Sequence, residues 1–178
     1  MDSTEAISDE TREAFKVLYS HLTANGFHCA HTVLEHLDHT IPVTRELLDG
    51  TSCFIGGTAF KGLTRSAFTA GLIVIGLTLG EIENSFPRVV RMLETMIAGG
   101  NALADHMNKF NRVLNISHRM SKWFGKEFGS TLCCEITQCE FSSLVNVHRY
   151  IEKNSVNTCK TIAEKVARQA EMIIKQKG

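Results

Sequence analysis

Residues 67–79 read AFTAGLIVIGLTL, thirteen positions without a charged side chain. A helix needs about 20 apolar residues to cross a bilayer, so this run is too short to span one. It reads instead as a helix buried in a protein core, from Ser66 to Leu79. Outward from it, the chain repeats a helical pattern. SDETREAFKVLYSHLTANG (8–26) offers Ser8 or Asp9 as a cap, Ala14, Phe15, Leu18 and Leu22 at helical spacing, and Gly26 as a stop. FHCAHTVLEHLDH (27–39) follows with Phe27, Ala30, Leu34 and Leu37, and PVTRELLDG (42–50) runs from Pro42 to Gly50. SCFIGGTAFKGLT (52–64) carries too many glycines for a helix and reads as a loop. Beyond Pro87 a long helical stretch is interrupted at Gly99-Gly100 and resumes to about Phe128. Two more helices are expected, near 141–153 and 155–177.

No alternating strand pattern, internal repeat or low-complexity segment is present. Both prolines lie near helix starts. The expected fold is all-α: a compact multi-helix bundle with a glycine-rich loop and a cysteine-rich turn between helices. A chain of 178 residues suits a single domain over 1–178.

The formal net charge is zero, with 19 basic and 19 acidic residues. Nothing in that balance suggests a nucleic-acid footprint, which would need a basic stripe. The start, MDSTEAISDE, is acidic and lacks the basic and apolar regions of a signal peptide. The expectation is a cytoplasmic protein with no membrane span. In reducing surroundings, six cysteines are metal ligands, redox thiols or core fillers more often than structural disulfides.

Three of the six, Cys133, Cys134 and Cys139, fall within seven positions of FGSTLCCEITQC (128–139). Packing alone explains such a cluster poorly, although a single buried cysteine usually acts as a small hydrophobe. That plain reading suits Cys53. Cys29 lies at the edge of the apolar arc of its helix, beside Val33 and His36. Cys159 is expected in the first turn of the last helix, where free N–H groups favour a thiolate. The absence of CxxC argues against a zinc ribbon or a thioredoxin-type motif. His28, His31, Glu35, Asp38 and His39 share a second arc, which reads as a solvated face or as imidazole and carboxylate ligands for a divalent metal. No HExxH, P-loop, G-x-S-x-G or di-iron signature occurs.

The blocks GFHCAHTVL (26–34), CFIGGTAFKG (53–62), RSAFTAGLIVIGLTLG (65–80), FGSTLC (128–133) and NTCKTIAEKVARQAEMI (157–173) resemble, in order, those of the redox-active protein family named for its motif, C_GCAxxG_C_C. The resemblance covers about residues 25–80 and 122–175, and the segment from about 85 to 120 looks like an insertion or elaborated helices. It implies that Cys29, Cys133 and Cys159 are family cysteines. Where the family has GCAxxG, this chain has RSAFTA: Ser66 replaces the second cysteine, and Arg65 and Ala70 replace the glycines. A serine oxygen is a poor substitute for a soft thiolate on iron.

The resemblance implies a redox role, and three readings remain open. The first is an electron-transfer module with an iron–sulfur cluster or other metal on Cys29, Cys133 and Cys159. Cys134 or Cys139 would complete its cofactor-binding set, and His36 would tune or ligate it. The second is a metal-free thiol–disulfide protein. The third is a non-redox binding protein with a degenerate site. The expected partner is a redox protein, and Gly71, Gly76 and Gly80 would permit a homodimer.

Overall fold

A computed structural model describes residues 28–80 and 112–176, together with single residues within 9–20 and 86–97. Among these, seven α-helices and one 3-10 turn are present and no strand. They are α1 (Cys29–His36), α2 (Arg45–Thr51), the 3-10 turn Ser52–Phe54, α3 (Ser66–Leu79), α4 (Arg112–Phe128), α5 (Cys133–Thr137), α6 (Leu144–Glu152) and α7 (Ser155–Lys175). The all-α expectation holds. No helix among the described residues is long and apolar enough to cross a membrane. The expected first helix and most of the 85–120 segment lie outside the described residues.

The apolar run at 67–79 forms α3 with the expected bounds. It packs on α1, α4 and α7. Ala67, Ala70, Val74 and Ile75 of α3 are fully buried. So are Ala30, Val33 and Leu34 of α1, the arc expected from the sequence. On α7 the buried stripe Val156, Cys159, Ile162, Ala163, Val166, Ala167, Ala170 and Ile173 follows helical spacing. Its alanines let neighbouring helices approach closely. Gly71 of α3 belongs to the same contact: a Cβ there would stand 2.9 Å from Val166. Gly76 meets nothing within 4 Å, so only the first of these two glycines serves the core.

Some boundaries differ from expectation for local reasons. α2 begins at Arg45 because the Thr44 hydroxyl accepts from Leu47 N at 3.3 Å and caps it. α1 ends at His36, so Asp38 and His39 are not on the helix. The FGSTLCC segment is not a plain turn: from Cys133 it is the short helix α5.

Candidate redox site

The glycine-rich loop sets the position of two cysteines. Residues 56–60 all have positive φ, including Thr58 (61°), Ala59 (50°) and Phe60 (62°). This left-handed turn folds the chain back so that residues 62–65 run beside 131–134. Arg65 N donates to Thr131 O at 2.9 Å, Cys133 N to Leu63 O at 2.8 Å and Cys134 N to Gly62 O at 3.0 Å. The approach is close enough to require glycine. A Cβ on Gly57 would lie 2.7 Å from Cys133 Cβ, and one on Gly62 would lie 2.7 Å from Cys134 Cβ.

That pairing carries Arg65 into the interior, where its relative exposure is 0%. Its Nη1 donates to Cys133 Sγ at 3.6 Å and its Nη2 to Cys29 Sγ at 3.9 Å. Its Nε has no partner among the described residues, and no carboxylate stands within ion-pair range of the guanidinium there. Burial works against the cation, but the thiols of Cys29, Cys159 and Cys133 more than offset it and hold the guanidinium charged. A buried cation needs a counter-charge, and the thiol cluster is what surrounds it.

Cys159 fits that requirement. Its Sγ lies 3.1 Å from the Tyr150 hydroxyl, and Cys29 and Arg65 are its other polar neighbours. Its acidity is increased to a pKa of about 5 by the Cys29 hydrogen bond first, against the effect of burial, with help from Arg65 and Tyr150. Cys29 moves the opposite way, well up, through its interaction with Cys159 first and then through burial. Burial raises Cys133 despite Arg65, and burial followed by Cys159 raises Tyr150. The site therefore gathers three cysteine sulfurs, of which Cys159 is the most acidic, with one phenol and one buried guanidinium. Cys159 lies in the second turn of α7, which begins at Ser155. Its acidity thus comes from side chains and not, as expected, from free N–H groups of a first turn.

The chain matches, over residues 27–173, the model of the family described as "Putative redox-active protein (C_GCAxxG_C_C)". The chain belongs to that family. No curated protein and no solved structure matches it. Cys29, Cys133 and Cys159, the cysteines that the sequence resemblance assigns to the motif, come from three separate helices and lie around Arg65. The fourth motif position, Ser66, is buried and its Oγ donates to Phe54 O at 2.6 Å. It ties the glycine-rich loop to α3.

The other expected site residues are placed apart from this centre or at its rim. Cys139 is buried beside Tyr150, Val156 and Cys159, and its Sγ donates to Asn146 O at 3.2 Å. Cys134 is half-buried and, with Cys139, lines an open groove that includes Glu135, Glu140 and Arg149. Cys53 is exposed. His36 is exposed, and its Nδ1 bonds Thr32 O at 2.8 Å within its own helix. The expected histidine arc does not form one face. His28 is buried, caps α1 by accepting from Ala30 N at 3.1 Å, and stacks on His31 with ring centroids 4.0 Å apart. His39 pairs instead with Glu171 at 2.9 Å.

The described donors fit a four-thiolate cluster poorly. Arg65 occupies the space between Cys29 and Cys133, and no three His, Cys, Asp or Glu side chains among the described residues are disposed to hold a metal ion. Sequence reasoning singled out the three cysteines but not Arg65 or Tyr150, which the structure sets beside them. One signal was available: an arginine placed directly before the most apolar helix has nowhere to go but inward or across a neighbouring loop.

Proposed function

We propose that this protein is a two-electron thiol redox centre in which Cys159 is the reactive thiolate, Cys29 its disulfide partner and Arg65 the fixed counter-cation. The observation that carries this reading is the buried guanidinium, set among three thiols and with no carboxylate partner among the described residues. In the reduced state Cys159 holds the negative charge and Cys29 the proton. On oxidation two electrons pass to the oxidant, Cys29 releases its proton, and an S–S bond joins the two sulfurs. Cys133 lies on the other side of Arg65 and remains a thiol.

Thiol counting on the unfolded protein after reduction and after treatment with the small thiol oxidant diamide tests the reading. The expected result is the loss of two of six thiols, with the bridge mapped by peptide mass to Cys29 and Cys159. An unchanged count would overturn it.

The competing reading is an iron–sulfur cluster on Cys29, Cys133 and Cys159 with Cys134 or Cys139 as fourth ligand. It is favoured by the convergence of the three motif cysteines and requires Arg65 to leave the space it fills. Anaerobic incubation with iron and sulfide separates the two. Stoichiometric iron with broad visible absorption that is lost in Cys133→Ser would establish the cluster. A protein that stays colourless supports the thiol centre.

A further inference from the structure

The thiol centre is reached by small molecules only. Cys159 has a relative exposure of 9% and lies under Tyr150 and Cys139, on the core stripe of α7. A protein disulfide cannot bring its sulfur into line with Cys159 Sγ without unpacking α6. The one partly open member is Cys29. The oxidant that reaches the thiolate must therefore be small enough to pass beside Cys29. Two hydrogen-bond donors suited to an oxygen leaving group stand in the centre: the Arg65 guanidinium, 3.9 Å from Cys29 Sγ and with an unused Nε–H among the described residues, and the Tyr150 hydroxyl, 3.1 Å from Cys159 Sγ. Buried, cationic surroundings of this kind stabilise negative charge that develops on oxygen.

We infer that the oxidant is a small hydroperoxide, reduced at Cys159 with Arg65 and Tyr150 assisting departure of the oxygen and Cys29 resolving the product. This rests on the thiol reading above and names its substrate class. Cys159 Sγ attacks the terminal peroxide oxygen and the O–O bond breaks. The sulfur becomes a sulfenic acid, and the alkoxide (hydroxide, for hydrogen peroxide) leaves. Tyr150 passes it a proton and regains one from solvent. Cys29 Sγ then attacks the sulfenic sulfur, the S–O bond breaks, and water departs with the Cys29 proton. The sum is one hydroperoxide and one proton consumed, with one alcohol, or water, one further water and one disulfide formed.

The test uses the reduced full chain and one equivalent of hydrogen peroxide, with free cysteine as the reference at pH 7. Free cysteine is only a few per cent thiolate there, but the lower basicity of an acidic thiol offsets much of what its greater ionisation gains, so a rate clearly above that of free cysteine reads the assistance of Arg65 and Tyr150. The product should be the Cys29–Cys159 disulfide. In Cys29→Ser the reaction should stop at a sulfenic acid on Cys159 that dimedone traps. In Tyr150→Phe, which keeps the ring and its packing, the rate should fall severalfold while diamide still forms the disulfide. Arg65→Met should slow the peroxide step at least tenfold, and Arg65→Lys should restore part of it. If diamide forms the disulfide but peroxide reacts no faster than with free cysteine, the hydroperoxide inference falls and the thiol centre stands. If neither reagent forms the disulfide, both fall. A dimedone adduct on Cys29 instead of Cys159 would also overturn the assignment.

Discussion

Arg65 and Cys159 compensate each other's burial, so neither should be removable alone at low cost. Taking one member from a buried charge pair costs about 3–5 kcal/mol, because the other charge is left in a poor solvent. Cys159→Ala should therefore destabilise the reduced protein by about that amount at pH 7. In an Arg65→Met background the same change should cost far less, leaving only the transfer and cavity terms of a small side chain. Urea denaturation of the four proteins gives the coupling energy directly, and a value above about 1 kcal/mol marks a real pair. At the same scale, His28 has two roles that one substitution separates. Its imidazole caps α1, and burial followed by the nearby His31 depresses its pKa to about 4. The unfolded chain thus binds a proton that the fold refuses as pH falls from about 6.5 to 4, and stability drops over that interval. His28→Asn keeps a capping side chain and should flatten the acid limb of the stability curve. His28→Ala should flatten it too but lose about 1 kcal/mol at neutral pH with the cap.

At the scale of elements, the glycine-rich loop and α5 act as one unit, since three backbone hydrogen bonds and two glycine contacts join residues 57–65 to 131–134. Gly57→Ala forces a Cβ both into Cys133 and into a left-handed backbone (φ 73°). We expect a loss of roughly 1–3 kcal/mol, and faster alkylation of Cys133 in the native protein as α5 moves away from Arg65. Mass spectrometry after a timed pulse of iodoacetamide reads both the site and the rate. The helices themselves were legible because their signals are local. α3 is a charge-free run ended by Gly80, and α7 starts at Ser155 and ends at Lys175, within two residues of the expected end. The turn-to-helix error at Cys133 has a non-local cause. The backbone N–H groups of Cys133 and Cys134 bond to loop carbonyls some 70 positions earlier in the chain, Leu63 and Gly62, and no window of sequence contains both partners.

For the molecule as a whole, stability and reactivity should share a pH dependence. Cys159 has a folded pKa of about 5 against an ordinary value near 9. Its ionisation therefore adds stability as pH rises from 5, and the contribution is complete only above the ordinary value. It is lost as pH falls through 5. Cys29, raised well above that ordinary value, gives the opposite sign only in the alkaline range. The reduced protein should gain in melting temperature from pH 5 to pH 8 relative to Cys159→Ser, measured by circular dichroism on matched samples. At this scale the sequence was readable only through the family resemblance. Cys29, Cys133 and Cys159 stand on separate helices, and the motif alone brought them together. The motif could not announce Arg65, because the matching position in GCAxxG is a glycine. What fills the centre departs from the motif and follows from where the loop pairing sends one side chain.

Electroneutrality across the two redox states has a further consequence. With the guanidinium and one thiolate, the reduced centre sums to zero. With a disulfide in place of the thiolate and thiol, it carries one uncompensated positive charge in the same dry surroundings. The fold therefore favours the electron-rich state, and the bridge, once made, is a ready acceptor of electrons. Equilibration with glutathione buffers should place the couple of Arg65→Met at a more negative potential than that of the wild type. The shift should be at least about 30 mV, the equivalent of a tenfold change in the exchange constant. A buried arginine without a carboxylate thus works as a bias voltage written into the interior, pushing the centre toward reduction before any partner arrives.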